Sequence, residues 1–475
     1  MPAERQVYLL DPQNLSPETI AVTFAKTSRS PLSFREIAAE LTDQKSAEFH
    51  EKWVVGYGHS SVAEHAVLHI AVENVSRLAI ESLESNRLAS YTEKSTRYQT
   101  WDADSFYIPS ELNQHALRQR YLDTCTYLFE AYQASIAPAR AVVCERNPPL
   151  PGENERRYDA RIRSDYVDAC RFFLPAASLA NVGMTMNART LEHAIQKLLS
   201  HPLEEIRAIG AEIKRVAQAV APTLVKYAEA VPYLEQIPHT FRSLDEAKQP
   251  ASAQHEDWCR LVRYDHDGEI AVLAAALYRM AEMSYAEAAE RVHRMSRETQ
   301  QRLAKSLLHQ LERYDIPLRE LEHASYTFDI TLDQGAYFEL KRHRMMTQTP
   351  QALTTRLGYA LPRLLIAAGL EEKFHQAMEK ARQAYEELRS FNPEVAAYVV
   401  PNAFNRRVLL TMNLRSAAHL VKLRTAANAH FSMRRIAHRI ADHIQQATPL
   451  LGSYLRQPDA ETWQQVSAEF LDFRA

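Results

Sequence analysis

Apolar positions along this chain follow two rhythms, a helical spacing and a two-residue alternation, and their order occurs twice. Residues 15–55 carry helical spacing, opened by Ser16 ahead of Pro17-Glu18-Thr19-Ile20, where a hydroxyl and a first-turn proline predict a capped start. Ala66 to Val75 is mostly apolar and β-branched, which predicts a buried strand. Residues 111–139 predict a long helix, whereas Ala139 to Asp165, with its Asn-Pro-Pro-Leu-Pro-Gly run and charge-rich tail, predicts a loop or insertion. Another helix is expected around Leu203–Arg207. From Gln236 to Glu256 the chain turns polar, with Pro238 and Pro250, and reads as a linker. Beyond it, Tyr326, Phe328, Ile330 and Leu332 alternate with polar residues, the pattern of a half-buried strand. The expected organisation is a first domain over 1–235, a linker over 236–256 and a second domain over 257–475. The fold class is α+β: few glycines and long amphipathic runs imply more helix than strand.

Composition narrows the function. A chain of 475 residues can bury a sizeable core, and a net charge of −3 gives no global positive field for nucleic acid. Met-Pro-Ala-Glu-Arg-Gln lacks the apolar stretch of a signal peptide, and no run is long enough to span a bilayer, so a cytoplasmic location is expected. Cys125, Cys144, Cys170 and Cys259 form no C-x-x-C pair, which disfavours a disulfide framework and a zinc site. No G-x-G-x-x-G or G-x-x-x-x-G-K occurs, so a nucleotide must be held by side chains.

The side chains for that are concentrated in Arg87-Leu-Ala-Ser90-Tyr-Thr92-Glu93-Lys-Ser95-Thr-Arg97-Tyr98. Arginine presents a rigid fork to phosphate and hydroxyls fill the remaining lone pairs, each charge-assisted bond giving roughly 1.5–3 kcal/mol. Upstream stand His59-Ser60-Ser61-Val-Ala-Glu64-His65; downstream come Arg171-Phe-Phe-Leu174-Pro175 and Asn187-Ala-Arg189-Thr-Leu-Glu-His193. In the second half the order recurs with Glu322-His323, then Arg342-His343-Arg344, then Asn413-Leu-Arg415-Ser-Ala-Ala-His419 running on to Arg424. Taken singly these residues have plainer readings. Arg415 and Arg424, continued by Arg434, Arg435 and Arg439, suit a solvated helix face, and Glu64 and Glu322 suit ion pairs. His59 and His65 are six apart and do not make a helical metal pair.

Taken together, in order and spacing, they resemble the flavin-dependent thymidylate synthases, whose pattern is an H-x-S/T-x-x-E-H box followed by R-H-R-x-x-S-x-N-x-x-S-x-R-Y. The chain resembles two tandem thymidylate-synthase-complementing-protein-like units, each a small, mainly antiparallel sheet flanked by helices. His65 and His323 lie 258 positions apart, Arg87 and Arg344 257, and Asn187 and Asn413 226, so the first repeat is the longer by about the insertion. Each repeat is damaged in a different place. The first has Ser85-Asn86-Arg87 for R-H-R and Leu198 for the late arginine; the second has Ala352 and Thr354 for the closing serine and arginine, and Ala397 for Arg171.

The resemblance implies reductive methylation of dUMP to dTMP with FAD, methylenetetrahydrofolate and NADPH, at a composite site between the repeats. By the same resemblance Arg424 is the catalytic candidate, and Glu93, Ser95, Arg97, Arg171 and Arg342 bind dUMP. FAD contacts fall on Ser61, Arg87, Glu93, Asn187, Arg189 and His193, and on Arg342, His343, Arg344, Asn413, Arg415 and His419. The reciprocal site, with Ala352 and Thr354 against Ser85 and Leu198, is expected to be dead. The implied partners are a nucleotide and a folate, with neither metal, nucleic acid nor membrane, and the implied assembly is a homodimer of two-repeat chains. The alternative is a catalytically degenerate relative that binds flavin or nucleotide, or keeps only the scaffold.

Overall fold

A computed structural model describes residues 6–56, 60–97, 99–244, 257–312, 314–455 and 461–474. His59, Tyr98 and residues 245–256 of the expected linker lie outside them. The chain forms two compact units. The first comprises Met1–Ser95, Ser105–Arg118 and Ala177–Pro250; the second comprises Thr96–Asp104, Gln119–Ala176 and Ala251–Ala475. Two stretches of the first sequence half therefore pack with the second half. Among the described residues no helix is long and apolar enough to cross a membrane.

The first unit is built on a three-stranded antiparallel sheet of β1 (Val67–Ser76), β2 (Ala89–Glu93) and β3 (Leu179–Asn187), ordered β1-β3-β2. In β3, Ala180, Val182, Met184 and Met186 alternate into the core. The expected burial of β1 is corrected: it is an edge strand that buries Leu68 and Val75 while Val67 is 45% exposed. His69, Glu73 and Asn74 interrupt the apolar run and keep one face in water. Ser16 caps helix Pro17–Lys26 by accepting the Thr19 N–H, as its sequence predicts.

In the second unit β4 (Cys259–Tyr264), β5 (Ser325–Asp333), β6 (Thr347–Pro350) and β8 (Asn405–Asn413) form an antiparallel sheet ordered β4-β5-β8-β6, and β7 (Tyr359–Pro362) pairs with β9 (Leu471–Arg474). Phe328, Ile330, Val408 and Leu410 of this sheet pack on Ile436, Ile440 and Ile444 of helix Phe431–Ala447. That helix corrects the reading of its arginines as a solvated face. Arg434 and Arg435 are buried, and Arg435 lies 3.6 Å from the ring centre of Trp258, where cation–π attraction replaces hydration.

Two other readings are corrected. The stretch 139–165 is mostly helical: helix Arg118–Arg146 runs through Pro138, and Asn154 caps a second helix, Glu155–Cys170. Tyr158, Ile162 and Tyr166 recur every fourth position and bury one stripe, a periodicity the surrounding charges conceal. Of the expected linker, residues 236–244 belong to helix Pro232–Leu244, despite Pro238 within it.

The duplication is written into the register. Val67 opposes Asn187 in the first repeat, and Ser325 opposes Asn413 in the second, at separations of 258 and 226. Past the strand, Ser76 and Asp333 each cap the next helix, now 257 apart. The lost position is a β-bulge: Glu73 and Asn74 together face Asn181, and Asn74 takes the left-handed backbone (φ 56°). Within the second unit the repeats meet each other symmetrically. The Ala176 N–H donates to the Val400 carbonyl and the Asn402 N–H to that of Leu174, both at 3.0 Å, around a Pro175–Pro401 bridge. Pro175 faces its own counterpart 226 positions on, and the Ala176–Val400 and Asn402–Leu174 bonds exchange under the same shift, the signature of a local two-fold at this contact.

Candidate anion-binding site

Five local structures in the second unit bring arginines together. Asp333 accepts the Ala336 N–H at 2.8 Å and so starts helix Gln334–Leu340, whose last turn carries Glu339 and leads into Arg342-His343-Arg344. Asn413 accepts the Ser416 N–H at 2.8 Å and starts helix Leu414–Arg424, which ends on Arg424. Helix Glu155–Cys170 presents Asp168, and the tight turn after it presents Arg171. The segment at Thr96 and Arg97 supplies the fourth arginine.

These side chains form two bonded groups that act on each other electrostatically. Arg424 Nη1 donates to Glu339 Oε2 at 2.6 Å and Arg424 Nε to His343 Nε2 at 2.9 Å, while Arg342 Nη1 lies 3.9 Å from the same carboxylate oxygen. Arg97 Nε reaches both Asp168 oxygens at 3.0 Å, its Nη2 lies 2.8 Å from Oδ2, and its Nη1 donates to the Asn428 carbonyl at 3.1 Å. Arg171 is 3% exposed, donates to Thr96 Oγ1 at 2.9 Å and sits 3.6 Å from Asp168; its Nη2 is buried without a hydrogen bond among the described residues. An orphan guanidinium donor beside a cationic cluster is the feature an anion would satisfy.

The electrostatics agree. Burial raises the Glu339 carboxyl, but Arg342, Arg424, Arg171 and Arg97 outweigh it and hold the group below its ordinary range. Burial, then Arg424 and His419, push His343 down to about 3, so the ring is neutral and its Nε2 is free to accept from Arg424. Four arginines gather around Asp168 and Glu339, with Asp333 acting on Arg171 and Asp165 on Arg97, so the cluster is rich in cationic donors for an anion.

His343 also makes a pH prediction. Its unfolded value is near 6.5 and its folded value about 3, so below 6.5 the unfolded chain takes up a proton that the folded one refuses. Stability contributed by the neutral ring is complete above pH 6.5 and falls with acidification, by roughly 1.4 kcal/mol per pH unit between those values. Urea unfolding from pH 7 to 4 is expected to show that slope in the wild type and a shallower one in His343→Gln.

The structure gathers Arg97, Arg171, Arg342, His343 and Arg424, with the His419 ring 5.8 Å from that of His343 and half-buried Arg344 in the same turn. The other expected residues stand elsewhere. Glu93 is buried in the first unit and ion-paired at 3.0 Å to Arg77. Ser95 closes a first-unit segment. Arg87 and His193 are exposed there, and Ser61 lines a cleft of about 790 Å³ with Phe24, Phe49 and Trp53. Asn187, like Asn413, is a helix cap. Arg189 pairs with Glu64 and Arg415 with Glu322, the same ion pair in both repeats. Sequence reasoning missed Asp168 and Glu339. Both stand three positions before an arginine of the site, in D-x-x-R and E-x-x-R at helix ends, a spacing that puts acid and base on one face.

At the repeat-related positions the set is gone. Arg97, Arg171, Arg342 and Arg424 correspond to Thr354, Ala397, Ser85 and Leu198, and Glu339 corresponds to Ser82. None of the four is an arginine.

A duplicated α+β unit of this topology with one arginine cluster has a match among known families. The family described as Thymidylate synthase complementing protein matches residues 10–223 and again 260–450, and the chain belongs to it. The chain is similar to a UPF0159 protein of Chlamydia muridarum, 33% identical over 94% of this chain and 91% of the relative. A UPF0159 protein of Chlamydia pneumoniae is 30% identical over the same shares. A flavin-dependent thymidylate synthase of Clostridium tetani is 28% identical over 45% of this chain and 82% of its own length, the proportion expected where two repeats share one chain.

Proposed function

We propose that this protein is a FAD-dependent thymidylate synthase with one working nucleotide site per chain, converting dUMP to dTMP with methylenetetrahydrofolate and NADPH. The observation that carries the proposal is the concentration of all four arginines in one cluster and their complete loss at the repeat-related positions. Independent decay would scatter such losses over both sets.

In this reading Arg97 and Arg342 grip the phosphate, with Asp168 holding the Arg97 fork in place and Arg171 adding its buried donor. Arg424 faces the uracil, where a guanidinium near N3 stabilises the ring anion and raises electron density at the carbon to be methylated. Its Nε is already oriented by neutral His343. The second-unit residues also suit a flavin: Arg342 and Arg344 would offer cations to a pyrophosphate, and neutral His343 with His419 would offer imidazole faces and donors. When bound, the flavin carries the hydride. Ser61, Asn187, Arg189, His193, Asn413 and Arg415 would join the flavin's surroundings. Arg189 and Arg415 would do so as ion pairs with Glu64 and Glu322.

The test is dTMP formation from dUMP with methylenetetrahydrofolate, NADPH and FAD all present. Turnover that depends on each of them is expected, together with flavin absorption bands at near one FAD per chain. Absence of dTMP overturns the proposal. Binding without turnover is the second reading, favoured by the H-x-S box of the second repeat, where Pro317 and Arg319 replace its histidine and serine. We propose further that two-repeat chains pair as a cytoplasmic homodimer. Light scattering is expected to give twice the chain mass of 54.3 kDa, and a monodisperse monomer would contradict it.

A further inference from the structure

The family match ends at residue 450, yet the structure continues with helix Trp463–Phe470 and β9. This segment is anchored at several points. β9 pairs with β7, Arg363 Nε donates to the Leu471 carbonyl at 3.1 Å, and Trp463 meets Trp258 edge-on at 5.7 Å.

Its inner side leads to the arginine cluster by two routes. The Phe470 ring stacks on Phe431 (5.5 Å, 6°), which stacks on His430 (4.2 Å, 30°), and Phe172 lies parallel to both at 5.9 Å. Phe172 is the neighbour of Arg171. Along the second route Arg434 lies over the Phe470 ring at 5.0 Å, with its Nε 3.0 Å from Glu461 Oε2. The far end of Arg434 donates from Nη1 to the Ala427 carbonyl at 2.9 Å, and the next carbonyl, Asn428, accepts from Arg97. The loop that joins Arg424 to helix Phe431–Ala447 is therefore held from one side by the segment and from the other by Arg97.

From these contacts we infer that Glu461 and Phe470 are positioning residues for the nucleotide site: through Arg434 and the 427–430 loop they fix the Arg97 fork for the anionic substrate. The inference rests on the nucleotide reading proposed above. Neither residue touches the four arginines of the cluster directly, so the effect is one of geometry, where a displacement of about 1 Å can cost on the order of a hundredfold.

The experiment is calorimetric titration of the full-length, FAD-loaded protein with dUMP. Phe470→Ala is expected to weaken binding roughly tenfold, Phe470→Tyr to restore it by keeping the stacked ring, and Glu461→Gln to weaken it similarly. Phe470→Leu serves should the alanine variant not fold. The decisive comparison is in an Arg97→Lys background, which keeps a charge but lacks the fork; there Phe470→Ala is expected to have no further effect. Wild-type binding with unaltered Phe470→Ala affinity overturns the inference and leaves the nucleotide reading standing. The same tenfold loss in both backgrounds also overturns it, because the effect would not run through Arg97. No dUMP binding by the wild type defeats the nucleotide reading itself, and the inference with it.

Discussion

Replacing Arg424 by alanine is expected to reduce dUMP-dependent turnover by about two to four orders of magnitude while leaving a folded protein. The side chain makes its two short contacts through Nη1 and Nε, to Glu339 and His343, and is part-buried at the end of a capped helix. In the proposed mechanism it supplies one or two charge-assisted bonds to the uracil anion, each of roughly 1.5–3 kcal/mol, and about 1.4 kcal/mol is a factor of ten. Arg424→Lys is expected to recover little, because an ammonium cannot span Glu339 and His343 with one planar fork. Steady-state kinetics would separate the roles: a loss confined to kcat places Arg424 at the ring, and a loss confined to KM makes it a binding residue only. Leu198, its counterpart in the first repeat, is buried core. Trimming Leu198 should cost stability and not chemistry.

The second large effect is on the fold. Asp168→Ala is expected to destabilise the protein by roughly 3–5 kcal/mol. The Asp168 side chain is 5% exposed and serves two guanidinium groups, Arg97 at 2.8–3.0 Å and Arg171 at 3.6 Å, the latter almost wholly buried. Removing the carboxylate leaves two positive groups facing each other at low dielectric, without the acid that pairs them both. Asp168→Asn retains the shape and one acceptor and should fall between. Urea denaturation checks the order wild type, asparagine, alanine; equal midpoints for all three would remove Asp168 from the account.

How much of this was legible in the sequence depends on the kind of signal. The existence of strands β1 and β5 and the cap at Ser16 were readable because apolar patterning and capping are local, whereas Asn187 and Asn413, expected at the flavin, prove to be helix caps. The register of the repeats could be counted from motif spacings, and the one-residue change from 258 to 257 proves to be the bulge at Glu73 and Asn74. Helix Glu155–Cys170 was concealed because its apolar stripe is one residue wide and set among arginines and aspartates. Burial of Arg434 and Arg435 was invisible for a different reason: the aromatic residues that receive them, Phe470 and Trp258, are distant in sequence. The same holds for the site. Motif resemblance found the arginines, but it could not find Asp168 and Glu339, whose importance lies in which arginines they neutralise. Nor could it show that Glu93 is paired with Arg77 inside the first unit.

The central claim, one nucleotide site per duplicated chain, is tested most directly by titrating the FAD-loaded protein with dUMP in a calorimeter. The account predicts saturation at one dUMP per chain, abolished together by Arg97→Ala and by Arg342→Ala although the two residues come from different repeats. Two sites per chain, or binding that survives both substitutions, would contradict it.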